Sequence, residues 1–249
     1  MKKPSIAEFR MTIRGSAPIT RPFTRGRGVA GEMRRFLIIV LAALSGFLLG
    51  SAATAILGAE HFLRIPALGL ALSRAITIAK GVFGFLRWMG LSGVWALTLS
   101  IGAGIFLNNL IVLLLILASP ILILKAKPFS DKYIGRLYQR YGIWLFKPIG
   151  WGAYRVLASI IPAYALALQF YLIGGTILAL GFNPRRGAFL IPELAAILVA
   201  CMLAIQPCMS DSPLDGLRAY FRKLKLSLPP IIITLFIAAI LEAYQLTLL

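Results

Sequence analysis

The chain has 249 residues, is 59% hydrophobic, and carries a formal net charge of +18 from 26 Lys/Arg against 8 Asp/Glu. Its charges lie almost entirely in connectors between long apolar runs, a separation that excludes an ordinary soluble domain and points to a multi-spanning membrane protein. With two cysteines and one histidine, it has neither a disulfide framework nor a zinc spacing.

A helix that crosses the bilayer needs roughly 20 apolar residues. Residues 1–35 hold nine Lys/Arg, end in Arg34-Arg35 and read as a basic cytoplasmic tail. The tail lacks the aromatic interleaving of a stacking platform, so nucleic acid is not expected as a partner. The run 36–57 predicts the first span. Its Ala53-Thr54-Ala55 faintly resembles a secretory cleavage site, but the basic leader is too long and the apolar run continues past it. Ala42, Gly46, Gly50, Thr54 and Gly58 recur every fourth residue and share one helix face. Small side chains let helices approach closely, so Gly46 and Gly50 are expected in a packing seam.

Segment 58–91 is too charged for a simple span. Drawn as a helix, it gathers Ser73, Arg74, Thr77, Lys80 and Arg87 within an arc of about 140°. Ile76, Ile78, Val82, Phe83, Phe85, Leu86 and Met89 fill the rest. The pattern predicts an interfacial helix near 67–89, with a re-entrant element as the alternative. The second span, near 92–124, carries Ser92, Ala96, Ser100 and Gly104 on one stripe, which continues to Asn108 beside Asn109. After Pro128, Ile134, Leu137, Tyr138 and Tyr141 share a face, with Lys132, Arg136 and Arg140 on another. An amphipathic helix near 130–141 follows from that pattern.

The third span is expected near 156–182 and contains Gln169. The fourth, near 188–206, contains Glu193 and ends at Gln206. Cys201 and Cys208 read as inert buried thiols. Ser212-Pro213 resembles an N-cap followed by proline at the first helical position. Leu214, Leu217, Phe221 and Leu224 then oppose Arg218, Arg222 and Lys225, predicting a surface helix near 213–226. The last span, 229–249, holds Glu242. The fold expected is an all-α membrane helix bundle of about five transmembrane helices with interfacial amphipathic helices, its transmembrane domain covering 36–249.

The positive-inside rule sets the orientation. With the N-terminus cytoplasmic, inner segments 1–35, 125–155 and 207–228 hold nine, seven and four basic residues, against four and two in the outer segments 58–91 and 183–187. A further span within 143–161 would reverse that bias at residues 218–225. The reading is a multi-pass plasma-membrane protein with its C-terminus outside. Arg34, Arg35, Arg136, Arg140, Arg218 and Arg222 then face anionic lipid on the cytoplasmic leaflet, which attracts each nearby cation by about 1 kcal/mol.

The polar residues within the spans are the candidates for function. A carboxylate placed mid-membrane costs roughly 2.5–3.5 kcal/mol on insertion scales, so it should turn inward and find a partner. Glu242 falls about 10 Å inside the outer end of its span at 1.5 Å per residue. Glu193 and Asn108 fall in the same leaflet. Asn108, Asn109, Glu193 and Glu242 could therefore share one polar pocket. The structural alternatives are a first-turn carboxylate for Glu193, interhelical hydrogen bonding for the asparagines, and a protonated structural acid for Glu242. Gln169 and Gln206 read as structural or interfacial.

These residues also carry a resemblance. Gly46-Phe47-Leu48-Leu49-Gly50, Ile105-Phe106-Leu107-Asn108-Asn109-Leu110, Glu193-Leu194-Ala195-Ala196 and Ala238-Ala239-Ile240-Leu241-Glu242-Ala243-Tyr244 occur in the order of the stage II sporulation protein M family, which the chain resembles over roughly 36–249. The family's Pro-His-Gly before the position of Glu193 is here Ala188, Phe189 and Leu190, and a usual Asn-Gly is replaced by Gly174-Gly175. Any activity needing that histidine would be absent. The resemblance implies a polytopic protein acting within a membrane assembly whose partners supply the chemistry.

Catalysis is not expected, nor any cofactor. His61, beside Glu60, is the only histidine, and neither a His-Glu-x-x-His motif nor a Gly-x-Ser-x-Gly elbow occurs. The leading expectation is a non-enzymatic membrane scaffold or complex subunit, partnered by other integral membrane proteins or by copies of itself. The alternative is a permease or proton-coupled transporter built on Glu242, Glu193 and Asn108, although no inverted repeat is evident.

Overall fold

A computed structural model describes residues 25–58, 66–144, 147–181, 187–210 and 212–248. His61, Glu60, residues 1–24 of the basic tail and most of connector 183–187 lie outside these residues. Six long helices follow in order: α1 (Arg25–Leu57), α2 (Pro66–Trp88), α3 (Val94–Tyr141), α4 (Trp151–Leu180), α5 (Leu190–Ile205) and α6 (Pro213–Thr247). A 3₁₀ turn, Gln206–Met209, follows α5, and there is no strand among the described residues. All six are long and apolar enough to cross a membrane, α5 together with the 3₁₀ turn that carries it on to Met209. In hydrocarbon the helix is the structure that pairs every backbone group within one segment. The chain is an all-α, multi-pass membrane protein.

Small residues decide which helices touch. Gly46 and Gly50 of α1 press on the backbones of Ala167 and Tyr171 of α4, while Gly174 presses on the carbonyl of Phe47. The Thr54 hydroxyl reaches the Gly175 carbonyl at 3.4 Å. Contacts advance in the same sense on both helices, so α1 and α4 run parallel. The helices α3 and α6 instead run antiparallel. Thr98 meets Thr247 at 3.0 Å between hydroxyls. Gly102 faces Ala239, Ile240 and Ala243. Phe106 meets Phe236 edge-on at 5.4 Å. The Tyr220 hydroxyl donates to the Leu117 carbonyl at 2.6 Å. A core of Ile39, Leu113, Ile116, Leu117, Leu166, Ala200, Cys201 and Leu235 joins five of the six helices.

Two of the expected surface helices are not separate. Residues 130–141 continue α3 and residues 213–226 open α6. Pro128 and the Pro229-Pro230 pair, which stand at the expected boundaries, lie inside continuous helices, as does Pro120. Proline removes one backbone donor and leaves the carbonyl four residues earlier without it. At Pro120 that carbonyl belongs to Ile116, and the Ser119 hydroxyl donates to it at 2.8 Å. At 48 residues, α3 spans about 72 Å, well beyond a 30 Å hydrocarbon core. It ends at Gly142, whose φ of 65° and N–H bond to Tyr138 form a left-handed cap. α1 likewise begins before the apolar run, at Arg25.

The third surface helix differs more. α2 does not lie across the bundle; after a short turn at 89–93 it packs lengthwise on α3. A Cβ on Gly104 would stand 2.5 Å from the Ala75 carbonyl and 3.1 Å from Ala79. These contacts lie a similar number of residues either side of the turn, so α2 and α3 are antiparallel. α3 is antiparallel to α4, with Leu124 beside Ala158, and α4 is parallel to α1. It follows that α1 and α2 point the same way. A chain whose helices all crossed in alternation would have α1 and α2 opposed. Thus α2, though apolar enough, is the helix that does not fit an alternating series, and the other five do.

Candidate functional site

The polar residues of the spans converge from four helices. On α3, the small-residue stripe of Ala96, Ser100 and Gly104 continues to Asn108, and all four are buried. Asn109 lies one position on, rotated toward α5. Its amide nitrogen donates to Glu193 Oε1 at 3.1 Å. Asn108 Nδ2 donates to Asn109 Oδ1 at 3.3 Å. From α4, the Gln169 side chain also hydrogen-bonds the Glu193 carboxyl. From α6, Glu242 lies within electrostatic reach of Glu193.

Position along the helices explains why they meet. Glu193 occupies the first turn of the short helix α5, which descends between α3, α4 and α6. Cys201 of α5 meets the Pro162 carbonyl at 3.3 Å, which fixes Glu193 two turns higher, level with Gln169. On α6, Ala239 and Ala243 seat against Gly102, and Glu242 lies between them in sequence. Glu193 is 7% exposed and Asn108 9%, whereas Asn109, Gln169 and Glu242 are half-buried.

Hydrogen-bond polarity fixes how the asparagines face. A carboxylate only accepts, so Asn109 must offer it the NH₂ group. The Asn109 carbonyl oxygen then faces Asn108, which must offer its own NH₂. Asn108 Oδ1 is left buried and without a hydrogen-bond partner. An acceptor in that state costs about 1–3 kcal/mol.

Gln169 belongs to the cluster although its sequence context reads as structural. The signal available was depth: it lies near the middle of an otherwise apolar run, where an amide needs a partner as much as a carboxylate does. Gln206 is not part of the cluster; it opens the 3₁₀ turn at the opposite end of α5. Among the packing glycines, Gly46 and Gly50 face α4, while Gly104 faces α2. Arg34, Arg136, Arg140, Arg218 and Arg222 are exposed and Arg35 is half-buried. All six lie at one end of the bundle, opposite the polar cluster. Cys201 and Cys208 are buried free thiols.

At the basic end, Lys127 is buried. It pairs with Asp131 one turn on, and its ammonium group lies 5.8 Å and 5.9 Å from the ring centres of Trp151 and Tyr154. These contacts tie the lower part of α3 to α4. No group of three or more His, Cys, Asp or Glu suited to a metal ion occurs among the described residues. In comparisons with known proteins, no family model, no curated protein and no solved structure matches this chain.

Proposed function

We propose that the protein is a non-enzymatic scaffold or subunit of a larger assembly in the cell membrane, its N-terminus cytoplasmic and its C-terminal end outside. The observation that carries this reading is the uncovered face of α2. Ala75 and Ala79 of that helix seat on Gly104. On the opposite side Ser73, Arg74, Thr77, Lys80 and Arg87 are exposed, and Gly81 and Gly84 have no neighbour within 4 Å. Cations on a helix at membrane depth need a partner or a route to water. Small residues beside them leave room for a second helix. A partner helix bearing carboxylates meets both needs. The resemblance to the stage II sporulation protein M family belongs to the same proposal, since it implies action within an assembly.

The test is purification from native membranes in mild detergent. A second integral membrane protein should be recovered at fixed stoichiometry. Replacing Arg74 and Lys80 together with leucine should weaken its retention at least about tenfold, a change of 1.4 kcal/mol. A monodisperse single chain from native membranes would overturn the reading.

The polar cluster favours a second reading, a permease or proton-coupled carrier working through Glu242, Glu193 and Asn108. Intramembrane acids facing a bundle interior mark ion and proton paths in many membrane proteins. Flux into liposomes holding this chain alone would favour it over the scaffold.

A further inference from the structure

We propose that the cluster formed by Asn108, Asn109, Glu193 and Glu242 binds a monovalent alkali-metal cation, with Asn108 Oδ1 and the Glu193 carboxylate among its oxygen ligands. The site is the same under either functional reading: the ion could be held permanently in a scaffold or exchanged by a carrier.

Two independent deficits along one hydrogen-bonded chain call for the same guest. The first is the orphaned acceptor. Asn108 is nine-tenths buried and its Oδ1 has no partner. Its orientation is dictated by a chain of donors running from Asn108 to Asn109 to Glu193, so turning the amide over would break that chain. The second is charge. The partners of the Glu193 carboxyl are neutral amides. The apolar lengths that surround them, residues 36–57, 94–124, 156–180, 190–209 and 226–247, contain no Lys, Arg or His. The cations of α2 lie on its exposed side, away from α3. A buried carboxylate without a counter-charge is costly, and the apolar lengths of the helices that pack around this one supply none.

The donor chemistry narrows the guest. Amide and carboxylate oxygens are hard ligands, suited to hard cations and not to thiophilic metals. A dedicated divalent site gathers more carboxylates than this one offers, and no cluster of three acidic, histidine or cysteine groups exists among the described residues. A single positive charge matches the one carboxylate, Glu193, that the asparagine chain reaches, with neutral amides around it. A water molecule would satisfy Asn108 and leave the charge unbalanced. A proton on Glu193 would let that acid donate to Asn109 and reverse the chain, which pairs Asn108 Oδ1 but leaves the Asn108 NH₂ group without an acceptor.

The test uses the full chain in lipid nanodiscs. Thermal unfolding is followed at constant ionic strength while choline chloride is replaced by sodium or potassium chloride, and radiolabelled sodium binding is measured in parallel. Sodium or potassium should raise the unfolding midpoint saturably, as binding to the folded state alone requires. Asn108→Ala should weaken apparent affinity at least about tenfold, Glu193→Gln should abolish binding, and Asn108→Asp, which keeps an oxygen in place, should retain it. Equal midpoints in all three salts would overturn the proposal. So would sodium binding by Asn108→Ala that matches the unaltered chain, or stabilisation that follows pH alone with no alkali dependence, which would mark the guest as a proton.

Discussion

Replacing Gly46 and Gly50 together with alanine should separate α1 from α4 and cost the protein about 2 kcal/mol or more per site, the upper part of the range for overpacking. A Cβ at either position would fall onto a carbonyl oxygen of α4. At Gly46 it would also stand 2.7 Å from the carbonyl carbon and 2.8 Å from the Cα of Ala167, and at Gly50 2.7 Å and 2.9 Å from those of Tyr171. All of these are backbone atoms, so no rotamer change relieves the clash and the whole helix must move. Moving it would also pull Thr54 from the Gly175 carbonyl and Ile39 from the core. Lipid offers no hydrophobic drive to restore the contact, because close van der Waals packing is what holds membrane helices together. Unfolding monitored by steric trapping in bicelles measures the loss. Gly152→Ala is the control: nothing lies within 4 Å of a Cβ there, and alanine is the better helix former by about 1 kcal/mol. A double variant as stable as the parent would refute the parallel seam.

The second large effect is expected at Asn109. Changing it to leucine removes the 3.1 Å bond to Glu193 and the acceptor for Asn108 Nδ2 in one step. Each buried group left without a partner costs about 1–3 kcal/mol. Hydrogen bonds between membrane helices average about 0.6 kcal/mol and reach about 1.7, so the loss should fall near 2 kcal/mol. The companion variant gives the argument its force. Replacing Asn109, Gln169 and Glu193 together with leucine should recover much of the stability, since removing all partners of a buried network is far milder than removing one. If the triple variant is as damaged as the sum of the three single changes, the residues are not coupled and the cluster is not the unit described here.

The contrast between helices shows what the sequence can and cannot convey. Long uncharged runs make the crossing segments plain, because bilayer thickness imposes a length on them. The seam of Gly46 and Gly50 is equally plain from its four-residue spacing. What the sequence hides is continuity through proline. Pro128 and Pro229-Pro230 look like breaks, yet α3 and α6 pass through them. At Pro120 the compensating bond comes from Ser119, a neighbour unremarkable in the sequence. α2 was hidden in another way. Its cations and apolar residues divide as they would on a helix floating at the interface, and only the notch at Gly104 reveals that one face seats on α3.

The candidate site divides similarly. Asn108, Asn109, Glu193 and Glu242 stand out because each is a polar residue in an apolar run, and counting residues from the ends of the spans places them at similar depth. Gln169 is no less conspicuous by depth, but an amide signals less than a charge. The donor chain that leaves Asn108 Oδ1 alone is beyond sequence altogether. It depends on which way two amides face, and that depends on α5 being short enough to bring Glu193 down into the bundle.

The direct test of the threading is labelling by a membrane-impermeant thiol reagent in sealed, oriented vesicles. Cys201 and Cys208 are replaced by alanine and single cysteines are placed at Arg34, Ser92, Arg140 and Leu248. Positions 34 and 140 should label from one side, and 92 and 248 from the other, because α1 and α2 point the same way and the proposed threading has the other five helices cross. Labelling of position 92 from the same side as 34 would mean that α2 crosses as an ordinary span, and would contradict the arrangement on which the polar cluster and the exposed cationic face depend.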